Sequence, residues 1–335
     1  MRYYRRNIVM TKCPLQEAFC YRDIFIIQPI IRRDIPYSPY AKDYPAYLDY
    51  WHDEDEGKDE LELIQLDINK TREICALLTA MSNFEFFTYD SSLNVWGVAA
   101  PDRSFDSMTT EEIDTFNANA RNSIWVPFPG YMYKEFSIDR IVSELSVIEG
   151  NNLMTLDENP LYFTDNPIEE NKNKICFHKN LIDALDSFYA LKDGARQIVF
   201  SAIVLIANAI KFGLPHQSIG FVSFISSIET MVELENKGVK VHHCENCGQP
   251  IYAVKKKFID YLVKYVSNTE KSKKKFNDLY KLRSKIAHTG KLFLSDVEFS
   301  LMNIEQNNNE WIKYVEVRQL ARLSLYRWLL INRSK

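Results

Sequence analysis

From about His178 onward, apolar side chains return every three to four residues almost without interruption. A chain spaced in this way buries them on one side only as a helix. The stretches run from Leu181 to Leu191, Ala195 to Phe212, Ser218 to Asn236, Lys256 to Ser267, Ser272 to Thr289 and Glu316 to Ile331. Gly213-Leu214-Pro215 and Gly290 stand where helices stop. The pattern predicts an all-α helical bundle over residues 178–335.

The preceding half is of a different kind. Residues 83–89, 94–98 and 122–128 are aromatic and β-branched and are separated by polar turns, as strands are. Ile68, Thr71, Ile74, Leu77, Leu78 and Met81 have helical spacing, with Asp67 placed to cap that helix. The acidic patch from Asp49 to Glu62 reads as a solvated loop. Between Glu149 and Lys174 the composition turns to Asn, Asp, Glu and Pro, which marks a domain boundary. An α+β domain is expected over residues 1–165, with no catalytic spacing of its own and a sensing or regulatory role. At 335 residues and 46% hydrophobic content, the chain can bury a core in each half.

The longest apolar run, Ile198 to Ile210, is flanked by Arg196 and Lys211 and is shorter than the roughly 20 residues that cross a bilayer. A buried core helix is expected there, and no membrane association. The basic start, Met1 to Asn7, is not followed by the apolar stretch of an export signal. The six cysteines are therefore expected as reduced thiols in a cytoplasmic protein.

Chemistry concentrates on the stretch from Ser272 to Thr289. Phe276, Leu279, Tyr280, Leu282 and Ile286 give it an apolar face, and His288 falls in its last turn, where helix-end carbonyls attract a cationic ring. Proton transfer is one use for such a histidine, and a structural cap is the other. Arg283 lies five residues earlier, about 7.5 Å along the axis and roughly 140° around it. A single helix does not aim both side chains at one point, whereas two such helices across a dimer axis gather two arginines and two histidines around one cleft. On the stretch from Phe221 to Val232, Glu229 shares a stripe with Val222, Ile225 and Val232. A carboxylate so placed needs a cationic partner, and Arg283 is the residue expected to supply it.

Net charge is −4, yet eleven lysines and Arg283 between Lys255 and Lys291 are opposed only by Asp260, Glu270 and Asp278. This local excess of about +9 is either an ordinary solvated face or a surface for nucleic-acid phosphates. Lys273, Lys274, Lys275 and Lys285 are the candidates for phosphate contact. Cys244 and Cys247, with His242 or His243 before them, form half of a zinc knuckle. Cys176 and His178 are distant candidates to complete a structural zinc site. Two reduced cysteines in a hairpin are the alternative.

Arg283-Ser-Lys-Ile-Ala-His288 fits the Arg-x4-6-His signature of the HEPN superfamily. In its context, with Ile228-Glu229, Cys244-Glu-Asn-Cys-Gly248 and Lys257-Phe-Ile-Asp-Tyr261 in order before it, the region resembles the ApeA-like branch over residues 178–335. The resemblance implies a dimeric helical domain that cuts RNA without metal, as a toxin or antiviral defence effector. The 2′-hydroxyl would attack the adjacent phosphorus and leave a 2′,3′-cyclic phosphate. His288 would then act as general acid or base, Arg283 would stabilise the transition state, Glu229 would hold Arg283, and Ser284 would stand where many relatives carry Asn. Some HEPN domains bind RNA or nucleotides without cutting, and that activity is the alternative.

Overall fold

A computed structural model describes residues 3–13, 15, 17–29, 44–52, 59–88, 107–115, 141–142, 155–156, 163, 175–213, 215–238, 242–243, 250–251, 253–298 and 304–332. It contains a small antiparallel sheet at the N-terminus followed by a mostly helical C-terminal region. Two units are distinguishable. One takes residues 1–75, 86–155 and 169–176, and the other Ala76–Glu85, Leu156–Ile168 and Phe177–Lys335. The division is thus not a single cut, and one of its boundaries falls inside a helix.

In the first unit the strands Tyr3–Thr11 (β1), Phe19–Tyr21 (β2), Phe25–Pro29 (β3), Tyr44–His52 (β4) and Phe86–Phe87 (β5) lie in the order β2-β3-β4-β1-β5. Ile141–Val142 (β6) pairs with the other end of β1 at Tyr4 and Arg5. In the β1–β4 register Arg6 stands opposite Asp49 and Arg5 opposite Tyr50. Alternation then sends these two cross-strand pairs to opposite faces of the sheet.

On one face, Arg6 makes two hydrogen bonds to Asp49, of 2.7 and 3.0 Å, and Gln28 donates to the same carboxylate at 2.8 Å. On the other, Asn7 donates to Asp67 and Thr71, each at 2.8 Å, and the Tyr50 hydroxyl also donates to Asp67. Asp67 and Thr71 belong to the helix Glu60–Met81 (α1). Burial, with the Asp67 carboxylate beside it, pushes the Tyr50 phenol far above its ordinary range.

These contacts correct two expectations. Asp49 is not part of a solvated loop: it is 0% exposed in the sheet, where Arg6 and Gln28 satisfy it. Asp67 is not an N-cap but a mid-helix residue holding the sheet. The cap is Asp59, whose carboxylate accepts the Glu62 amide at 2.8 Å while Glu62 accepts the Asp59 amide at 3.2 Å. That reciprocal arrangement is a capping box, and it starts the helix eight residues before Ile68. The strands expected at 94–98 and 122–128 lie outside the described residues.

The second unit is built from Leu181–Ala190 (α2), Asp193–Gly213 (α3), Gln217–Glu235 (α4), Val254–Tyr265 (α5), Glu270–Thr289 (α6) and Ile304–Ile331 (α7). Helix α4 packs against α3, α5, α6 and α7, and buries along one face Phe221, Phe224, Ile225, Ile228, Met231 and Val232. Each such side chain contributes about 1.5–3 kcal/mol of hydrophobic stabilisation. Helix α3 sets Val199, Ala202, Ile203, Ile206 and Ile210 into this core. It is nonetheless less enclosed than the core helix expected, since only 33% of its most apolar stretch is buried. By length and composition alone it is also able to cross a membrane.

The first turn of α4 closes tightly on α7. A side chain at Gly213 would bring its Cβ to 1.9 Å from the Tyr314 hydroxyl, and at Gly220 to 2.9 Å from the same ring. The glycines therefore make the seat into which Tyr314 fits, donating to the Ala209 carbonyl at 3.2 Å. Burial pushes that phenol up to about 12, with smaller opposing effects from Arg318 and Glu85. Arg318 and Arg322, one turn apart on α7, are both 0% exposed. The Arg322 guanidinium donates to Asn83 at 3.0 Å and lies 5.3 Å from the centre of the Phe163 ring.

Candidate functional site

Helix α6 carries the residues singled out from the sequence. Thr269 begins it by accepting the Ser272 amide at 3.1 Å, and Phe276, Leu279 and Ile286 anchor one side. Gly290 ends it at φ 66°, a left-handed conformation that favours glycine, with its amide donating to the Ile286 carbonyl at 3.1 Å. Tyr280 meets Phe258 of α5 with ring centres 5.0 Å apart.

Arg283 reaches across to α4 and donates to Glu229 at 2.9 Å. The pairing named from helical spacing is thus formed, between side chains 21% and 19% exposed. Tyr280 stands beside them: burial first, then the Glu229 carboxylate, raises its phenol. The Arg283 Nε is buried without a hydrogen-bond partner among the described residues, so the guanidinium is not saturated by Glu229.

His288 is exposed in the last turn of α6, and no hydrogen bond joins it to Arg283 or Glu229 among the described residues. One copy of the unit therefore presents a clamped arginine and a solvent-facing imidazole as separate features. Ser284 is half-buried between them in sequence.

The four lysines expected at phosphates fall into two classes. Lys273 is paired with Glu270 at 2.9 Å and Lys275 with Glu316 at 2.6 Å. Lys274 and Lys285 are exposed and carry no carboxylate partner among the described residues. Lys285 also lines a cavity of about 460 Å³ together with Lys291 and Lys313, two residues that the motif alone did not single out. A second cavity, of about 510 Å³, is bounded by Ile198, Glu229, Val232, Lys257 and Phe258.

The segment after His288 is fastened in place. Asp296 accepts the Gln217 amide at 2.8 Å and the Ser218 amide at 2.6 Å, so it caps the start of α4 from another part of the chain. The Phe293 amide donates to the Ser218 hydroxyl at 2.7 Å, the Phe293 ring meets Phe221 edge-on at 5.4 Å, and the Leu294 amide donates to Glu310 at 2.7 Å. Sequence reasoning missed this clamp, because nothing local links Asp296 to residues almost eighty positions earlier.

Cys244 and Cys247 lie outside the described residues, and His242 is described only as part of a short strand pairing with Ile251. His178 is engaged elsewhere, its Nδ1 accepting the Asn180 amide at 3.3 Å and meeting the Tyr326 hydroxyl at 3.3 Å. No group of three or more His, Cys, Asp or Glu among the described residues is placed to hold a metal ion.

What the fold and site define is a helical unit bearing a carboxylate-held arginine and an exposed histidine one and a half turns further along the same helix. No family model, curated protein or solved structure matches the chain.

Proposed function

We propose that the helical unit is a HEPN-type, metal-independent endoribonuclease that works as a homodimer. The observation that carries this reading is the Glu229–Arg283 ion pair with His288 exposed five residues beyond the arginine. A guanidinium held by a carboxylate is oriented before substrate arrives, and its fixed charge suits a phosphorane-like transition state. An exposed imidazole at a helix end is open to a second subunit and to RNA alike.

In the reaction the 2′-oxygen forms a bond to the adjacent phosphorus and the bond to the 5′-oxygen breaks. One His288 takes the 2′-hydroxyl proton, and His288 of the partner subunit protonates the leaving oxygen. The products are a 2′,3′-cyclic phosphate and a 5′-hydroxyl end. Arg283 faces the extra negative charge on phosphorus, while Glu229 acts through Arg283 as a positioning residue. Purified protein incubated with mixed RNA, beside His288→Ala, tests this: cleavage ends in cyclic phosphate for the first and is lost in the second. Equal cleavage by both would sink the assignment.

A second reading is favoured by the pairing of Arg283 itself, since a carboxylate at 2.9 Å offsets part of the charge that catalysis needs. On it the unit binds RNA or a nucleotide without cutting. Salt-sensitive binding of RNA that stays intact under all conditions would select it.

A further inference from the structure

We infer that the cavity lined by Lys285, Lys291 and Lys313 is a subsite for one nucleotide of a single-stranded RNA, with its phosphate held by those three lysines. This rests on the ribonuclease reading and adds to it where the chain is gripped. Lys285 precedes His288 by three residues on α6, a spacing that puts their Cβ atoms about 5–6 Å apart on neighbouring positions of one helix face. Lys291 follows His288 by three residues, just past the turn at Gly290. Lys313 comes from α7 and closes the other side.

The three lysines differ from Lys273 and Lys275 in one decisive respect. Those two are held by Glu270 and Glu316, whereas none of Lys285, Lys291 and Lys313 has a carboxylate partner among the described residues. Of the two carboxylates on the cavity wall, Glu310 is engaged with the Leu294 amide at 2.7 Å and with Gln306 at 3.0 Å. Glu305 stays exposed in the first turn of α7. The cations are therefore free to turn toward a phosphate.

Residues 291–296 are tied down through Phe293, Leu294 and Asp296, which holds that side of the cavity in place. Leu282 and the 44% exposed Leu292 offer an apolar surface for a base, and the exposed Asn309 a side-chain amide for its edge. A volume of about 460 Å³ falls within the range of small-ligand sites. Single-stranded RNA is favoured because an unstacked nucleotide can leave its neighbours to enter such a pocket.

The test uses the full chain and a short fluorescent single-stranded RNA with 2′-O-methyl sugars, which binds but has no nucleophile. Binding is measured over a salt series for the wild type, for Lys291→Ala/Lys313→Ala, and for Lys255→Ala/Lys256→Ala, which removes the same charge from exposed positions on α5. Each phosphate contact adds roughly 0.7 to the magnitude of the salt slope for a single strand. The cavity variant is expected to lose up to about 0.7 of slope, the share of the one phosphate held there, with affinity falling at every salt concentration, while the control keeps the wild-type slope. An unchanged slope in the cavity variant, an equal loss in the control, or no RNA binding by the wild type would each overturn the inference. Because this probe is never cut, a failure of cleavage leaves the result standing and falls on the ribonuclease reading alone.

Discussion

Glu229 and Arg283 are 54 residues apart in sequence and joined at 2.9 Å in space. On the ribonuclease reading the arginine acts only as negative charge builds on phosphorus. Arg283→Lys keeps the charge but loses the planar fork, and kcat should fall about 10²–10³-fold with RNA binding nearly unchanged. Glu229→Gln should cost less activity, about tenfold, and about 1 kcal/mol of stability. It should also lower the titration of Tyr280, read as the ultraviolet difference from the same variant carrying Tyr280→Phe. A rise in KM at constant kcat for Arg283→Lys would assign the arginine to substrate binding instead.

Asp296 closes the first turn of α4 and anchors the segment following His288. Asp296→Ala should lower stability by about 1 kcal/mol, the ordinary cost of a lost helix cap. Hydrogen exchange locates the effect: the amides of Gln217, Ser218 and Phe293 should lose protection together, while those of α5 stay slow.

Glu235 gives a pH dependence whose direction follows from its surroundings. Burial pushes its carboxyl up, but hydrogen bonds from Lys264, Tyr265 and Trp328 outweigh that and bring it below the ordinary value of 4.5. A carboxylate lowered by folding stabilises the native state above its unfolded pKa, and that contribution fades as pH falls through the folded one. The wild type should therefore exceed Glu235→Gln in stability at neutral pH and converge with it on acidification below about 4.5. Denaturation midpoints at a series of pH values measure this. A difference that grows toward acid would contradict the assignment.

The helices of the second unit were legible because each must bury an apolar side, and Gly290 marked an end by the conformation it adopts. Only α7 ran well beyond its expected span, to Ile304, since Gln306, Asn307, Asn308 and Asn309 carry no apolar period and, for the asparagines, little helical propensity. The sheet was opaque for the opposite reason. In β1 and β4 the buried apolar residues Val9, Met10, Ala46 and Leu48 are interrupted by Arg5, Arg6 and Asp49, whose charges look solvated until their partners are known. Asp59 and Glu62 did carry a local signal, the capping box, at a point where the acidic run was read as loop. At the site, the motif led to Arg283 and Glu229, while Lys313 and Asp296 come into view only when α7 and the start of α4 are placed beside α6.

Arg322 of α7 finds an acceptor in Asn83, which precedes it by 239 residues. At about 5–20 residues per second, a ribosome takes on the order of 10–50 s to make the chain between them. Through that interval Asn83 waits, and in its last part, once residue 235 has been made, α4 keeps uncovered the apolar side that α7 will meet. The unit locks only after α7 emerges, so whatever activity its helices support begins when the translation that produced them has passed that point.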